Sequence, residues 1–598
     1  MISITNKVNC CGCNACGDVC PVGAITFKTD NEGFWYPQVD TEKCVGCSLC
    51  EKVCPVLNVK ELKKNDYVQP VCYAAENKNL EVVFDSTSGG VFSALADKMY
   101  REGGYVGGAI YTEAFSVKHY ISNEKKDLPR LRSSKYLQSC LQDFFNQVKQ
   151  LLDRGVKALV CGTPCQMAAL RAYLKKDYDN LIIADFVCRG VNSPKVWRKY
   201  LDSFEERYGS KVVYCKAKSK EFGWRNLTFK AVLENGKSYY ETKDQSLFTK
   251  GYLQTGVYCR PSCYECKFKG YPRMADITLA DFWGIEKVDR SMEKDLGTSL
   301  LMINSKKGEA FLEGVKSRLN LLPVQFEKAE AGNPALNRPL PPPKVDRTGF
   351  FEDLDRMTFT QVADKYIVHN KVSRKRKMKN FVKSARNVIR LTQCNPKAVF
   401  QFFKYNTLKE IVKGDMIIPT PHCVFDISKS ARIVKHGKTV LGEKLKFKKS
   451  KLETRLFVGK NATLELGDGI LIGYGADIEV FDGATLKICG QNASNVGLTI
   501  ICGDRMEIGR YAIMGRNVTI RDNNGKHYLS LPGYRDSRPV VIGEKVWLCE
   551  QSTVMPGVKV GDGSIVAARS LVTGNVPAHT LVSGNPCQVT DEEVIWKS

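Results

Sequence analysis

The sequence predicts a multidomain chain: an α+β module that carries metal, then an α/β domain, then a parallel β-helix. Three observations carry this. Two runs of the form CxxCxxCxxxCP stand within the first 57 residues, short apolar strands alternate with helical segments from about residue 70, and apolar residues recur every six positions from about residue 456. At 598 residues the chain is several times the usual domain size, so more than one hydrophobic core is expected. Composition shifts place the domains at 1–60, 70–345 and 431–598, with a basic helical linker over 346–430.

In the first module, Cys10, Cys13, Cys16 and Cys20 form one run and Cys44, Cys47, Cys50 and Cys54 repeat it. Three thiolates at two-residue gaps wrap one face of a [4Fe–4S] cube and the fourth crosses to a neighbouring cube, the spacing of a two-cluster ferredoxin. Cluster one then takes Cys10, Cys13, Cys16 and Cys54. Cluster two takes Cys44, Cys47, Cys50 and Cys20, with Pro21 and Pro55 turning the chain away after each crossing ligand. Cys11 is spare. Zinc also uses CxxC pairs, but its sites seldom string three cysteines at such gaps before a fourth and a proline. Two clusters this close relay single electrons, so the module serves a redox partner and does no bond chemistry itself.

Of 24 cysteines, 18 fall at or before Cys266, so the metal belongs to the N-terminal part. The start MISITNKVNCCGC has no basic stretch followed by an apolar one, and no apolar run approaches the ~18 residues of a membrane helix. A cytoplasmic protein is expected, whose reduced thiols point to metal or redox chemistry rather than disulfides. With 43% hydrophobic and 26% charged residues the composition excludes wholesale disorder and fibrous repeats. The net charge of +25 favours acidic partners: phosphates, nucleic acid or an anionic membrane.

The middle region opens with a strand, VCYAAEN, and a helix, VFSALADKMYREGG, introduced by STSGG. Gly89 and Gly90 leave backbone N–H groups at that helix start, which suits a phosphate, although two glycines there also serve simple packing. VKALVCG and LIIADFVC flank the helical QMAALRAYLKKDY and predict a βαβ unit. Ligands of open parallel sheets gather beyond the carboxyl ends of the strands, where Cys165 and Cys188 fall. With the CxxC pair Cys263 and Cys266 they make a third four-cysteine set.

Seven ordered strings from about residue 70 to 320, among them STSGGVFSALADKMYREGGYVGGAIY, LVCGTPCQMAALRAYL, ADFVCRGVNSPKVWRKYL and YCRPSCYECKFKGYPRMADITLADFWGI, resemble the beta subunit family of coenzyme F-420 (deazaflavin) hydrogenases and dehydrogenases. The resemblance implies an iron–sulfur flavoprotein with FAD and a [4Fe–4S] cluster. It further implies that Cys165, Cys188, Cys263 and Cys266 ligate the cluster and that Ser88, Gly89, Gly90, Lys135 and Tyr136 lie near the flavin. The family's Cys-His-Gly is Cys188-Arg189-Gly190 here, which puts the family's redox substrate in doubt. A rival is the CxxxCxxC spacing of Cys259, Cys263 and Cys266, which resembles radical S-adenosylmethionine enzymes.

The proline-rich PALNRPLPPPKV ends this region. Residues 371–390 then carry nine basic residues and no acidic one, with Met378, Phe381, Val382, Ala385, Val388 and Ile389 at helical spacing. Such a helix can lie on an anionic membrane, or pack as a linker on a neighbouring domain. No nucleic-acid-binding motif accompanies the charge, so a nucleic-acid partner is not expected.

In the C-terminal region Val496, Cys502, Ile508, Met514 and Ile520 are spaced by six, and the period resumes at Ile542 and runs through Val572. This predicts a three-sided coil with one apolar side chain per face turned inward, and resembles the left-handed hexapeptide-repeat acyltransferases. The resemblance implies a homotrimer, acetyl-CoA as co-substrate and a small-molecule or glycan acceptor. IRDNNGKHYLSLPGYRDSRPV interrupts the period where related sugar O-acetyltransferases carry an Asp- and His-bearing loop. His527 is the candidate general base and Asp522 its orienting carboxylate, although the family's spacing between the two is tighter by a residue.

The resulting expectation is a bifunctional cytoplasmic protein, an iron–sulfur flavin oxidoreductase fused to an acyltransferase of polysaccharide assembly near the inner membrane. Two alternatives stand beside it: an electron-transfer scaffold trimerised by an inert β-helix, and a true deazaflavin-dependent dehydrogenase.

Overall fold

The computed structural model describes residues 1–62, 64–368, 385–444, 447, 449–525, 527, 530 and 533–596. They form two compact units, Met1–Asn370 and Lys371–Ser598. The linker expected over 346–430 is thus divided. Helices Arg347–Arg356 and Phe359–Ala363 bury Phe350, Phe351, Leu354, Phe359 and Val362 in the first unit's core, while the first strand of the second unit's coil is already Met416–Pro419. A proline run bends a chain without ending a domain when apolar residues after it still have a core to fill.

The cysteine module carries its duplication into structure. Helices Ala15–Asp18 and Leu49–Lys52 each follow a residue in the left-handed region, Asn14 (φ 64°) and Ser48 (φ 55°). Strands β1 (Ile25–Thr29) and β2 (Trp35–Val39) pair antiparallel between them.

The middle region comprises β3 (Val71–Asn77), β4 (Tyr105–Tyr111), β5 (Val117–Ser122), β6 (Ser139–Cys140), β7 (Ala158–Gly162), β8 (Leu181–Phe186), β9 (Val212–Ser219), β10 (Thr228–Leu233), β11 (Ser238–Glu241), β12 (Ile277–Asp281), β13 (Ser299–Ile303) and β14 (Leu319–Val324). Nine of them form one sheet in the order β14-β3-β13-β12-β8-β7-β4-β5-β6. β12, β8, β7 and β4 run parallel at its centre, and antiparallel pairs flank them. The expected βαβ unit is β7, helix Pro164–Leu174 and β8. Thr163 and Gln166 cap that helix reciprocally and Pro164 opens it. β9, β10 and β11 form a separate three-stranded sheet.

The cysteine module is seated on the middle region within the same unit. Cys13, Ala15 and Val53 share a core with Phe144, Val148, Met167 and Leu170. Asp18 accepts from the amides of Asp143 (2.8 Å) and Phe145 (3.2 Å), capping helix Phe144–Asp153 from another module. Glu32 takes a two-pronged bond from Arg347 (2.8 and 2.7 Å).

The second unit is a coil of three parallel sheets, of nine, seven and six strands, closed at its end by an antiparallel pair. This is the architecture of a left-handed parallel β-helix. One inward column runs Leu456, Ile478, Ile500, Ile520, Val554, Val572, all buried. Those numbers show turns of 22 residues first, then 20, and 18 at the end, with the long step across the interrupting loop. The early turns therefore miss the six-residue period. Cys502, Ile508, Met514 and Ile520 point inward as expected, but Ser494 rather than Val496 fills the equivalent place, paired with Met514. Strands such as Thr499–Cys502 present two inward residues two positions apart, so two six-residue series overlap out of phase. Of the basic segment, residues 371–384 lie outside the described residues, and 385–392 are helical.

Candidate functional site

The structure brings the cysteines of each crossed set near one another. Cys10, Cys13 and Cys54 all act electrostatically on Cys16, whose thiol burial pushes up. Burial likewise raises Cys54 to about 11, with Cys13 and Cys10 adding to it. Cys20, Cys44, Cys47 and Cys50 line one small pocket together. Each crossing cysteine therefore sits with the other run's three.

A second, larger cavity in the first unit is lined by Cys165, Cys188, Cys263 and Cys266, residues up to 101 positions apart. Cys165 is carried in the first turn of helix Pro164–Leu174, Cys188 follows β8, and Cys263 and Cys266 come from the segment before β12. Burial raises Cys188 to about 12 and pushes Cys263 and Cys266 up as well. Cys165 instead falls to about 7, chiefly through a hydrogen bond from Cys11, aided by Thr163 and the Gln166 amide. Four thiols with no carboxylate in the set suit an iron–sulfur cube. Lys269, which lines the same cavity, donates to the carbonyls of Cys188 and Ala335. Among the described residues no three Cys, His, Asp or Glu converge on a single ion; a four-iron cube holds its thiolates farther apart than one ion does. Cys259 stands aside: its Sγ donates to Asn192 Oδ1 at 3.3 Å and it does not line the cavity.

The residues expected near a flavin lie around the start of helix Val91–Arg101 and the turn before β6. Gly89 differs from expectation, because its N–H is already committed to Ser299 Oγ at 2.9 Å. A Cβ there would stand 2.2 Å from the Ala75 carbonyl, so close packing on β3 explains the glycine. Gly90 takes φ 79° as the helix N-cap, and Ser88 Oγ donates to the Thr298 carbonyl. Lys135 is buried and donates to the Arg130 and Arg132 carbonyls (2.6 and 2.8 Å). Burial, then the charge of Lys216, lowers it to about 7. Tyr136 packs edge-on against Tyr252.

Sequence reasoning missed three lysines there. Lys216, Lys218 and Lys220 alternate along and just past β9. Lys216 binds Asp85 (2.6 Å), Lys218 binds Asp281 (2.7 Å) and lies over stacked Trp224 and Trp283, and Lys220 donates to the Val83 and Ser88 carbonyls. With Arg132, also on Asp85, and Lys135 they concentrate positive charge beside Ser88. The KAKSK alternation was the available signal; lysines on a strand ordinarily mark a wet face.

In the second unit Asp522 is fully buried and accepts from the amides of Gly503 (2.6 Å) and Asp504 (3.0 Å) and from Asn523 Nδ2 (2.9 Å). His527 is exposed, and its carbonyl accepts from the Tyr534 hydroxyl at 2.7 Å. Among the described hydrogen bonds none joins the two. Asp522 is the clasp at the root of the loop rather than the orienting partner expected of it.

Three family models match the chain, in the order the sequence predicts. A 4Fe-4S dicluster domain matches residues 9–58. The C terminus of the coenzyme F420 hydrogenase/dehydrogenase beta subunit matches 155–326, and the bacterial transferase hexapeptide (six repeats) matches 539–574. The chain is similar to galactoside O-acetyltransferase of Escherichia coli (strain K12), 32% identical over 138 residues, which are 23% of this chain and 63% of that one. It spans less than two thirds of that relative's length. It is also similar to WbbJ of the same strain, whose name assigns it to lipopolysaccharide biosynthesis as an O-acetyl transferase, 28% identical over 24% of this chain and 80% of that one. Among solved structures, the F420-reducing [NiFe] hydrogenase complex from Methanosarcina barkeri gives 17% identity and a TM-score of 0.32 over 46% of this chain and 92% of that one. A TM-score below 0.5 assigns neither fold nor activity.

Proposed function

We propose that the chain is a bifunctional enzyme: an iron–sulfur flavin oxidoreductase joined to an O-acetyltransferase that modifies a bacterial glycan with acetyl-CoA. The observation that carries the redox half is the convergence of Cys165, Cys188, Cys263 and Cys266 on one cavity beneath the ferredoxin module. These four would hold a third [4Fe–4S] cluster beside the two of Cys10, Cys13, Cys16, Cys54 and Cys44, Cys47, Cys50, Cys20. The clusters would supply one-electron transfer, and FAD the exchange between single electrons and a hydride. The lysines gathered beside Ser88 would hold the flavin's diphosphate, with buried Lys135 and half-buried Tyr136 limiting the water around it. The test is iron retention: Cys165→Ala should lose about four iron per chain, one cube's worth, whereas Cys259→Ala should lose none. Loss on removing Cys259 alone would favour the radical reading instead.

For the acyl half, His527 Nε2 or Nδ1 would take the proton of an acceptor hydroxyl as its oxygen bonds to the acetyl carbon; the C–S bond then breaks and the leaving thiolate recovers the proton. Trimer assembly through the β-helix and a glycan acceptor follow from the likeness to O-acetyltransferases. Peripheral contact with an anionic membrane is supported by helices Pro396–Tyr405 and Leu408–Lys413. Phe400, Phe403, Leu408 and Val412 are 68%, 61%, 77% and 74% exposed there, beside exposed Lys397, Lys404, Lys409 and Lys413. No described helix is long and apolar enough to cross a membrane.

A further inference from the structure

Arg260 belongs to none of the cysteine sets, yet it is fully buried where two of them meet. Its Nε donates to the Cys10 carbonyl (2.8 Å), Nη1 to Gln138 Oε1 (2.7 Å), and Nη2 to the Trp35 carbonyl (3.1 Å) and to Cys10 Sγ (3.5 Å). The guanidinium lies 4.4 Å from the Tyr36 ring centre and 5.4 Å from that of Phe34. The first cysteine loop is shaped around it: Gly12 has φ 71°, and a Cβ there would stand 2.9 Å from Arg260 Cζ and 2.3 Å from Gln138 Nε2. On its other side Arg260 lines the cavity of Cys165 and Cys263. Cys11, the spare of the first run, lines that cavity together with Cys165 and packs against the core that holds Cys13.

Among the described residues no carboxylate is paired with Arg260. Its partners are carbonyls, an amide, ring faces and a thiol. A buried arginine without a counter-charge is strongly disfavoured, and the groups acting on it that can carry negative charge are Cys10, Tyr36, Cys11 and Cys263, three of them cysteines of the two sets and their spare. Neither Lys nor an apolar residue reproduces a fork that meets three oxygens and a sulfur in fixed directions.

We propose that Arg260 is a positioning residue that seats the Cys10–Cys16 loop against the four-cysteine cavity and holds a permanent cation between them. The ferredoxin site adjoining the cavity is thereby that of Cys10, Cys13, Cys16 and Cys54, and Cys11 spans the gap from Cys13 to Cys165. The site of Cys44, Cys47, Cys50 and Cys20 lies in a separate pocket and shares no lining residue with the cavity.

The inference rests on the iron–sulfur reading of both cysteine sets, and the experiment separates the two. The full chain, purified without oxygen, is compared with Arg260→Gln, Arg260→Lys and Cys11→Ala by iron content, by the midpoint potentials of a redox titration followed by electron paramagnetic resonance, and by the magnetic interaction between reduced centres. A nearby cation favours the more negative, reduced state, and charge and hydrogen bonds at the sulfurs set cluster potentials. Arg260→Gln should therefore keep its iron and lower the midpoint of one ferredoxin centre. Arg260→Lys should recover part of that shift, which a purely structural clamp would not. Cys11→Ala should keep its iron and weaken the magnetic interaction between two centres. Unchanged potentials in Arg260→Gln at full iron overturn the inference. Should Arg260→Gln lose iron, Cys11→Ala decides, and an unchanged magnetic interaction there overturns it. Wild-type protein with only about eight iron, two cubes, overturns the third-cluster reading and this inference with it.

Discussion

The two candidate sites are built by opposite means. In the first unit, Cys165, Cys188, Cys263 and Cys266 arrive from a helix start, a strand end and a loop, and become a site only because the sheet buries them together. In the second, the scaffold is repetitive and buries Ile478, Ile500, Ile520 and Val554 in one column, while His527 stands exposed on the loop that breaks the repeat. A buried, gathered site is specified by its fold and tolerates little change in its neighbours. A loop site on a regular coil can be altered or lost with the coil intact, so regularity of the coil is no measure of activity there.

That contrast breaks most sharply at His527. If it is the general base, His527→Ala should lower acetyl transfer to a glycan acceptor by about 10²–10⁴-fold while thermal unfolding stays put. Asp522→Asn should instead act mainly on the loop: it weakens the clasp on the Gly503 and Asp504 amides, and its effect should appear as faster proteolysis of the loop. Equal transfer by wild type and His527→Ala would leave the β-helix as a scaffold.

A smaller effect is expected at the exposed helices of the second unit. Replacing Phe400 and Phe403 together by Ser should cut co-sedimentation with phosphatidylglycerol vesicles several-fold and leave the neutral phosphatidylcholine control unchanged. Binding that survives the double substitution, or a change of oligomeric state in its place, would assign that face to something other than lipid.

The smallest effect concerns Lys135, lowered to about 7 by burial. An anionic ligand favours the charged lysine, so its contribution to flavin affinity should be full below about pH 7 and fade as pH rises through the higher value it has when bound. Titrations of FAD from pH 6 to 9 should show this slope in wild type and not in Lys135→Met.

Much of this was legible in the sequence, and the physical reasons are specific. The ferredoxin cysteines were, because their spacing is set by the faces of a cube and is local in the chain. The βαβ unit of β7 and β8 was, because parallel buried strands read as apolar runs. The 22-residue turns beginning at Met416 were not, since longer strands with two inward residues blur the six-residue period. The lysines of β9 were not, because alternation reports that residues share a face and is silent on whether that face is wet. Arg260 was hidden for a related reason: its partners Cys10, Trp35 and Gln138 lie more than 120 positions away, and no local pattern encodes them.

The account depends first on the third cysteine set and the flavin. The most direct measurement is iron, acid-labile sulfide and released flavin per chain on protein purified without oxygen. The structure leads us to expect about 12 iron, three cubes of four, with matching sulfide and one FAD. About eight iron with no flavin would contradict it, leaving a two-cluster electron carrier attached to an acyltransferase.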